Sequence, residues 1–180
     1  MNRIGSWDRF LIPALPSPIA DLETITEIYN DAVANTTAIW NERLVDVDDR
    51  AAWLADRLRA GYPVLVASDG HDVLGYATFG DFRPHDGYRF TVEHSVYVRS
   101  DQRGRGIGKA LMIELIGQAR AIGKHTMVGA VASENTGSIA LHERLGFVET
   151  GRMPQVGMKF GRWLDLTFLQ LILDDRPTPA

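Results

Sequence analysis

The segment VYVRSDQRGRGIGKALM, residues 96–112, constrains the fold of this chain more than any other part of the sequence. An apolar strand pattern ends at Val98, and an apolar helix pattern follows after a short loop. Gly104, Gly106 and Gly108 alternate with other residues there, although a glycine inside a helix costs about 0.5–1 kcal/mol relative to alanine. We therefore expect a ligand to approach the main chain closely at this point.

The residues around these glycines are typical of an anion site. Amides in the first turn of a helix have no partner within the helix, and the helix dipole adds about half a positive charge. Arg103, Arg105 and Lys109 add full positive charges. The loop is not a P-loop, because Ala110 follows Lys109, and the dinucleotide fingerprint would need a glycine at 109 or 111. The alternative is a glycine-rich turn that only lets a helix start tightly.

Hydrophobic periodicity predicts the element order β-α-α-β-β-β-α-β-α-β-β, which is a single sheet with helices packed on it in an α/β or α+β domain. A strand is predicted at 10–14, and a helix is predicted after Ser17 as its N-cap. Further helices are predicted at 48–60, capped by its first residue, and at 105–122. The dipeptide at 69–70, Asp-Gly, predicts a β-hairpin.

The second half of the chain continues the same pattern. A short helix is predicted at 136–145 with Gly146 as its C-cap, followed by two strands. We find no linker that would divide the chain. The predicted boundaries are an irregular N-terminal arm at 1–8, one domain at 9–174 and a flexible tail at 175–180.

The chain has 180 residues, of which 45% are hydrophobic, as in a single compact domain. The net charge of -4 leads us to expect no nucleic-acid partner, because duplex-binding domains are usually basic. The absence of cysteine excludes disulfides and thiolate metal sites, and we expect no metal cofactor. No apolar run approaches the roughly 18 residues of a membrane span, and we see no signal-peptide pattern. We therefore expect a cytoplasmic protein without membrane association.

The segment QRGRGIGKALM resembles the R/Q-x-x-G-x-G/A signature of the GCN5-related N-acetyltransferase (GNAT) superfamily. The segment SENTGSIALHERLGFVETG resembles a later motif of the same superfamily. Three further segments, IYNDAVANTTAIWNE, FGDFRPHDGYRFTVEHSVYV and VGMKFGRWLDL, resemble its phosphinothricin/methionine sulfoximine acetyltransferase branch. The resemblance covers almost the whole chain. It implies a single GNAT domain whose central, mixed, mostly antiparallel twisted sheet is splayed at the acetyl-CoA site.

The resemblance also implies acetyl-CoA as the cosubstrate. In the superfamily the glycine loop binds the coenzyme A pyrophosphate through backbone amides, and the preceding strand pairs with the pantetheine arm as an added strand would. Asn135 either holds this arm or caps the following helix. The implied cofactor-binding residues are Val96, Tyr97, Val98, Arg103, Gly104, Arg105, Gly106, Ile107, Gly108, Lys109, Asn135 and Ser138.

Acetyl transfer to an amine needs a base, because a free α-amine is largely protonated at pH 7. Glu93 is the first candidate. Alternation along its strand places Glu93 with Ser95 and Tyr97 on one face and His94 on the other, unless a β-bulge changes the register. The resemblance implies a catalytic glutamate at this point of an E-x-x-V-Y-V pattern, and the alternative is an exposed surface carboxylate.

The departing thiolate needs a proton or a stabilising dipole, and His142 and Tyr97 are the candidates for this role. Many members of the superfamily carry a tyrosine at the position of His142, whereas the phosphinothricin/methionine sulfoximine acetyltransferase branch carries a histidine there, as this chain does. An imidazole titrates near neutral pH and can move protons. The alternatives are a histidine that caps or packs in the last helical turn and a tyrosine that belongs to the core.

The loop DFRPHDGYR, residues 81–89, predicts an acceptor site, because arginine can hold a carboxylate by two parallel hydrogen bonds. Trp40 would supply an apolar wall. The alternative is a solvated charged turn with Trp40 in the core. The resemblance implies a glutamate-like acceptor such as methionine sulfoximine, methionine sulfone or phosphinothricin. Its implied contacts are Trp40, Arg83, Pro84, His85, Asp86, Tyr88, Glu93, His94 and Ser95.

The segment at 156–166 lies at a dimer interface in this branch, which implies a homodimer, although it could be a plain hairpin connection. The predicted function is therefore acetyl-CoA-dependent N-acetylation of a small amino acid analogue. One alternative is another amine acceptor, namely a protein N-terminus, a polyamine or an aminoglycoside; Arg83 and Arg89 favour an anionic acceptor instead. The other alternative is a coenzyme-A-binding module without catalytic activity.

Overall fold

The computed structural model describes residues 20–69 and 72–179. These residues form four α-helices and six β-strands. The strands make one sheet, and the helices pack on it. The helices are α1 (Ala20–Asn35), α2 (Val47–Arg59), α3 (Ile107–Ala121) and α4 (Thr136–Arg144). The strands are β1 (Val64–Ser68), β2 (Val73–Asp81), β3 (Thr91–Val98), β4 (Thr126–Ala132), β5 (Val148–Lys159) and β6 (Arg162–Ile172). The predicted arm at 1–8, the strand at 10–14 and the Ser17 cap lie outside the described residues.

The sheet has the strand order β1-β2-β3-β4-β6-β5. The β3–β4 pair is parallel, and the other neighbouring strands are antiparallel. This arrangement confirms the predicted mixed, mostly antiparallel sheet. β1 and β2 pair as the predicted hairpin, although Gly70 of its turn lies outside the described residues. α3 provides the crossover that a parallel pair requires.

β3 and β4 stay paired for only a short distance. Their partners run from Thr91↔Thr126 to Glu93↔Val128. β3 nevertheless continues along β2 as far as Val98, and β4 pairs with β6 along its whole length. The two central strands therefore separate after Glu93, on the side of the glycine loop, which is the splay that the resemblance implied.

Two apolar cores lie on opposite faces of the sheet. On one face, α3 packs Leu115 into a cluster that includes Phe79 of β2 and Met127 of β4. On the other face, α1 packs Ile28 against Tyr76 of β2. Ala77 and Phe79 of β2 lie in the first core and Tyr76 in the second, because neighbouring side chains of a strand point to opposite faces. The cleft between β3 and β4 is therefore bounded by helices on both faces.

The predicted N-cap of α2, Asp48, is wrong. The cap is Asp46, which has extended backbone angles (φ -97°, ψ 178°) and accepts a hydrogen bond from Asp49 N at 2.8 Å. Asp48 instead lies in the first turn, where a carboxylate interacts favourably with the helix dipole. All three aspartates suit a helix start, and spacing alone did not distinguish the cap from the first turn.

Two other helix boundaries differ from the prediction because of left-handed glycines. α3 begins at Ile107 rather than Arg105, since Gly106 has a φ of 85° and cannot belong to the helix. The C-cap of α4 is Leu145 rather than Gly146. Gly146, with a φ of 91°, is the residue that follows the cap and turns the chain away from the helix.

β5 and β6 form a hairpin through Phe160 and Gly161, with Lys159 paired to Arg162. The φ angles of the two turn residues are 51° and 71°, as in a two-residue type I′ turn. The segment at 156–166 is therefore part of a hairpin, as one of the two interpretations of the sequence proposed.

The chain after β6 has no regular secondary structure within the described residues, but one residue of the predicted flexible tail, Arg176, makes polar contacts with the rest of the protein. Arg176 donates a hydrogen bond to the Gly123 carbonyl at 2.6 Å and interacts with Asp174 at 2.9 Å. Among the residues that the structure describes, none of the helices is both long and apolar enough to span a bilayer.

Candidate active site

A cavity of about 630 Å³ lies beside the region where β3 and β4 separate. Its walls are the end of β3, the glycine loop with the first turn of α3, one face of α4, and α1 with the segment after it. The volume is in the range of small-molecule sites, roughly 300–1,000 Å³. The lining residues are Ile28, Ala32, Thr36, Ala38, Val96, Tyr97, Val98, Gln102, Arg103, Gly104, Gly106, Ile107, Gly108, Lys109, Asn135, Gly137, Ser138, Leu141 and Arg144.

The cavity brings together the predicted cofactor-binding residues apart from Arg105. The guanidinium of Arg105 donates a hydrogen bond to the side-chain oxygen of Gln102, which is itself a lining residue. β3, the glycine loop and the start of α3 are consecutive along the chain, and the fold brings Asn135 and Ser138 from the start of α4 to the same cavity. That these residues contact a coenzyme stays a prediction.

Glycine occupies the three loop positions for different physical reasons. Gly104 and Gly106 have φ angles of 77° and 85°, which side chains with a Cβ rarely adopt. Gly108 is an ordinary residue of the first turn of α3, and a Cβ there would lie 3.6 Å from Val98 Cγ2 and 3.7 Å from Leu141 Cδ2. The turn therefore requires the first two glycines, whereas the third keeps space open in the cavity.

The N-terminus of α3 is suited to bind an anion. Gly106 is the N-cap, and no side chain of the described residues caps this end. The amides of the first turn therefore remain available, and the helix dipole makes the position electropositive. Arg103 and Lys109 add charge to the cavity wall. This donor set fits a diphosphate group.

The edge of β3 that faces β4 has no strand partner after Glu93 among the described residues. Val96, Tyr97 and Val98 lie on this edge and line the cavity. Unpaired main-chain groups of a strand can bind an extended ligand that carries amides, as in strand addition. The same cavity thus offers an anion site and a strand edge to one elongated molecule.

Asn135 caps α4 and lies in the cavity wall at the same time. Its Oδ1 accepts a hydrogen bond from Ser138 N at 3.1 Å, so the capping interpretation is confirmed. Because the oxygen is engaged, the amide Nδ2 is the group that Asn135 can offer to a ligand.

Sequence reasoning missed several lining residues. On α4 these are Gly137, Leu141 and Arg144, whose i, i+4, i+7 spacing lies on one helical face and was a usable signal. On α1, Ile28 and Ala32 also have an i, i+4 spacing. That spacing alone indicates only a buried face, and tertiary packing directs part of it to the cavity.

Glu93 is half-buried in β3, opposite Gly80 of β2 and Val128 of β4, at the last pair before the strands separate. Burial raises the pKa of its carboxyl above the usual 4.5, and the charge of Arg83 partly opposes this shift. The β2–β3 register runs without a shift from Gly75↔Val98 to Asp81↔Val92, so the predicted alternation holds. Glu93 does not line the cavity but lies three residues before Val96, which does.

Tyr97 shares this strand face and lines the cavity. Its ring packs on Tyr76 with a centroid distance of 5.3 Å, so it also belongs to the core. Burial raises the pKa of the Tyr97 phenol above its usual value of 10.0. The phenol is therefore neutral at physiological pH and can act as a hydrogen-bond donor.

His142 lies outside the cavity lining and is buried, 1% exposed, against His94 of β3. The Nε2 atoms of the two rings are 2.9 Å apart, and His142 Nδ1 is 2.6 Å from the Ser138 carbonyl oxygen. Because a carbonyl only accepts, His142 Nδ1 carries the proton, and its Nε2 accepts from His94 Nε2–H. Both nitrogens of His142 are thereby engaged in the neutral pair.

The same assignment makes His94 Nδ1 an unprotonated acceptor, and this atom is buried without a hydrogen-bond partner among the described residues. Burial, followed by the neighbouring His142, lowers the pKa of His94 to about 3. Burial also lowers the pKa of His142. Gly129 of β4 makes room for the pair, because a Cβ there would lie 2.9 Å from His94 Nε2.

Replacing His94 with leucine is expected to flatten the pH dependence of stability in acid. The unfolded chain binds a proton at His94 below about pH 6.5, whereas the folded protein does not do so until about pH 3. The free energy of unfolding therefore falls as the pH falls through this window, by about 1.4 kcal/mol per pH unit for one such histidine. Urea unfolding of both proteins between about pH 7 and pH 5 measures the slopes.

His85→Leu is the matched control, because His85 is exposed on a loop. It should keep the slope of the wild type. If His94→Leu also keeps that slope, the assignment of a neutral buried pair is incorrect.

The predicted acceptor loop joins β2 to β3 and contains a short 3-10 helix, Asp86–Tyr88. Arg83, Pro84, His85, Asp86 and Tyr88 are all exposed. The Tyr88 ring lies 5.7 Å from that of Phe82 and 6.4 Å from that of His85. The structure does not place this loop in the cavity lining, and its link to the site is the electrostatic effect of Arg83 on Glu93.

Trp40 lies on the segment between α1 and α2, close to the lining residues Thr36 and Ala38. Its Nε1 donates a hydrogen bond to the Thr37 carbonyl at 2.9 Å. Its ring packs on Gly157 of β5, where a Cβ would come within 2.2 Å of ring carbons.

Ser95, half-buried in β3, pairs with Thr78 of β2. Within the described part of the chain, no cluster of three or more His, Cys, Asp or Glu residues could hold a metal ion.

The comparisons with known proteins agree with this geometry. The model of the acetyltransferase (GNAT) family matches residues 25–147. The L-methionine sulfoximine/L-methionine sulfone acetyltransferase of Pseudomonas aeruginosa is 64% identical over 157 residues, which are 87% of this chain and 91% of that protein.

Two solved structures support the same conclusion. A Salmonella typhimurium protein, solved with its cofactor acetyl-CoA, has a TM-score of 0.88 and 56% identity, covering 91% of this chain and 94% of that one. A phosphinothricin acetyltransferase from Sinorhizobium meliloti, in complex with acetyl-CoA, has a TM-score of 0.85 and 40% identity, covering 89% and 90%. The resemblance inferred from the sequence motifs is confirmed. The chain belongs to the acetyltransferase (GNAT) family.

Proposed function

We propose that this protein transfers the acetyl group of acetyl-CoA to the free amine of a small amino acid analogue of the methionine sulfoximine, methionine sulfone or phosphinothricin type. The observation that carries the proposal is the 64% identity, over 87% of the chain, to an enzyme named for the first two of these acceptors. The cavity independently supports the use of acetyl-CoA, because its hydrogen-bond donors suit a diphosphate and an extended chain that carries amides.

The proposed coenzyme site uses the two features of the cavity. The amides of the first turn of α3, with Arg103 and Lys109, would hold the diphosphate, and the edge of β3 at Val96–Val98 would hold the pantetheine arm. Asn135 Nδ2 is an additional donor in the same wall. When bound, acetyl-CoA supplies the acetyl thioester, and the protein's own residues orient it and move protons.

Glu93 is the proposed general base. It would remove a proton from the amine, directly or through water, while the new N–C bond forms and the C–S bond breaks. Its raised pKa makes the carboxylate a stronger base than an exposed glutamate. The charge of Arg83 opposes part of this rise in the pKa of Glu93 and so favours the ionised form.

Tyr97 is the proposed donor to the departing thiolate. The phenol is held neutral by burial, and the residue lines the cavity. His142 was the other candidate, but it is buried away from the cavity lining, and both of its nitrogens take part in hydrogen bonds. These contacts support a role for His142 in packing rather than in protonation of sulfur.

The proposed acceptor site combines the loop after β2 with Trp40. Arg83 would bind the acceptor carboxylate, Trp40 would contact the apolar part of the side chain, and Ser95 lies on the same strand face as Glu93. Pro84, His85, Asp86 and Tyr88 are exposed and available in the same loop. Arg83 thus favours an anionic acceptor, and its charge also lowers the pKa of Glu93, the proposed base.

Thiol release from acetyl-CoA tests the function with a panel of acceptors. Methionine sulfone, methionine sulfoximine and phosphinothricin should give much higher kcat/KM than spermidine, an aminoglycoside or a peptide N-terminus. A preference for one of the latter amines would replace the proposed acceptor. Coenzyme A binding without thiol release from any acceptor would favour the binding-module alternative.

We also propose that the protein forms a homodimer through the β5–β6 hairpin. β5 is the edge strand of the sheet and is exposed along almost all of its twelve residues. A long, exposed, apolar edge normally needs to be covered. The exposed large hydrophobic residues of the hairpin are Val148, Met153, Val156, Met158, Phe160, Trp163 and Ile172.

Trp163→Lys is expected to shift the protein to a monomer, because Trp163, paired with Met158, is 65% exposed on this surface and a lysine would place a charge there. Sedimentation equilibrium measures the change. Ile122→Lys, at an exposed position after α3, should leave the dimer intact. A monomeric wild type, or a Trp163→Lys variant that remains dimeric, would contradict the proposed interface.

A further inference from the structure

Lys159, the last residue of β5, is buried and donates hydrogen bonds to carbonyls far away in the sequence. Its side chain is 1% exposed. Its Nζ lies 2.5 Å from Val33 O, 2.6 Å from Thr36 O and 2.5 Å from Ile39 O. An ammonium has three donors, and here each donor has one carbonyl acceptor. Lys159 therefore binds the end of α1 and the segment after it.

The end of α1 needs such a partner. The last four carbonyls of a helix accept no hydrogen bond from an amide of the same helix, and the helix dipole makes that end negative. The last turn of α1, residues 32–35, consists of Ala, Val, Ala and Asn, so the compensating positive charge comes from β5. Burial lowers the pKa of Lys159, and the charge of Glu42 opposes this shift.

The segment that Lys159 holds forms one wall of the cavity. Thr36 and Ala38 line the cavity, and Trp40 lies two residues after Ala38. β5 contacts this segment at a second point two residues away, where Gly157 packs under the Trp40 ring. Lys159 itself is not a lining residue.

We infer that Lys159 is a positioning residue for the acceptor end of the active site. It acts by fixing residues 36–40, and with them Trp40, relative to the edge of β3. The inference rests on the proposed function, in which Trp40 contacts the acceptor. The diphosphate contacts proposed at the N-terminus of α3 belong to a different wall and do not depend on Lys159.

Lys159→Met tests the inference, because methionine keeps most of the volume and removes the three donors. We expect the KM for methionine sulfone to rise about tenfold or more, equivalent to about 1.4 kcal/mol, with the Kd for coenzyme A changed less than about threefold. Lys159→Arg should not restore the KM, because a planar guanidinium cannot present three donors from one nitrogen. Steady-state kinetics and calorimetry measure the two constants.

Arg120→Met is the matched control. Arg120 of α3 donates a hydrogen bond from Nε to the Leu173 carbonyl at 2.8 Å, and neither residue lines the cavity or belongs to the acceptor loop. Its loss should leave the acceptor KM unchanged. A folded Lys159→Met protein with an acceptor KM within about twofold of wild type would overturn the inference, as would an equal rise in Arg120→Met.

If Lys159→Met does not fold, Gly157→Ala decides the question, because the added methyl would displace the Trp40 ring from β5 without removing a buried charge. It should raise the acceptor KM in the same way, and an unchanged KM would overturn the inference. Inactivity of the wild type with every acceptor would overturn the proposed function as well. An active wild type with unaffected variants would overturn the inference alone.

Discussion

Replacing Glu93 with glutamine is expected to lower kcat by about a hundredfold or more, the usual contribution of a general base. Glutamine keeps the shape of the side chain but cannot accept the proton. Coenzyme A affinity should change little, because the cavity that contains the anion site does not include Glu93. Thiol release at saturating methionine sulfone measures kcat, and calorimetry measures the affinity.

The pH profile gives the sharper test. The active form of the base is the carboxylate, so activity falls as the pH falls through the pKa of Glu93, which burial places above 4.5. Glu93→Gln should remove this acidic limb. Arg83→Ala should move the limb to higher pH, because Arg83 lowers the pKa of Glu93, and should also raise the KM for a carboxylate-bearing acceptor.

Glu143→Gln provides the control, because Glu143 is exposed on α4 outside the cavity lining. It should keep both kcat and the acidic limb of the wild type. An unchanged profile in Glu93→Gln would assign the acidic limb to another group and reject Glu93 as the base. An unmoved limb in Arg83→Ala would reject the coupling between the acceptor loop and the base.

Replacing Gly108 with tyrosine is expected to weaken coenzyme A binding by about a hundredfold or more, which corresponds to about 2.7 kcal/mol. The Cβ itself fits, at 3.6 Å from Val98 Cγ2 and 3.7 Å from Leu141 Cδ2, so the helix need not change. The ring, however, would extend among residues that line the cavity and occupy space beside the strand edge. Calorimetric titration with coenzyme A measures the loss directly.

Gly117→Tyr is a matched control on the same helix. Gly117 lies in α3 on the exposed surface, and a Cβ there would meet no atom within 4 Å among the described residues. Both variants replace a helical glycine by the same residue, so their effects on helix stability should be similar. Coenzyme A binding by Gly108→Tyr at wild-type affinity would mean that this cavity is not the coenzyme site.

The strand–loop–helix unit could be predicted from sequence because its signals are local. Alternation placed Glu93 and Tyr97 on one face of β3, and the unshifted β2–β3 register agrees with that placement. The glycines and basic residues predicted an anion site, and in the structure all of them except Arg105 line one cavity. The boundary errors, at Asp48 and Arg105, were also local: several residues satisfied the same capping or helical pattern, and backbone angles decided between them.

By itself, the sequence determined the order of the elements that the structure describes, a helix terminus suited to an anion, and the family, because these depend on residue types at short, regular spacings. Only the tertiary structure decided which distant residues meet. His94 and His142 are 48 residues apart and engage each other's ring nitrogens, and Lys159 holds the Val33 carbonyl across 126 residues. Such contacts depend on how strands and helices pack in three dimensions, and periodicity carries no information about a partner so far along the chain.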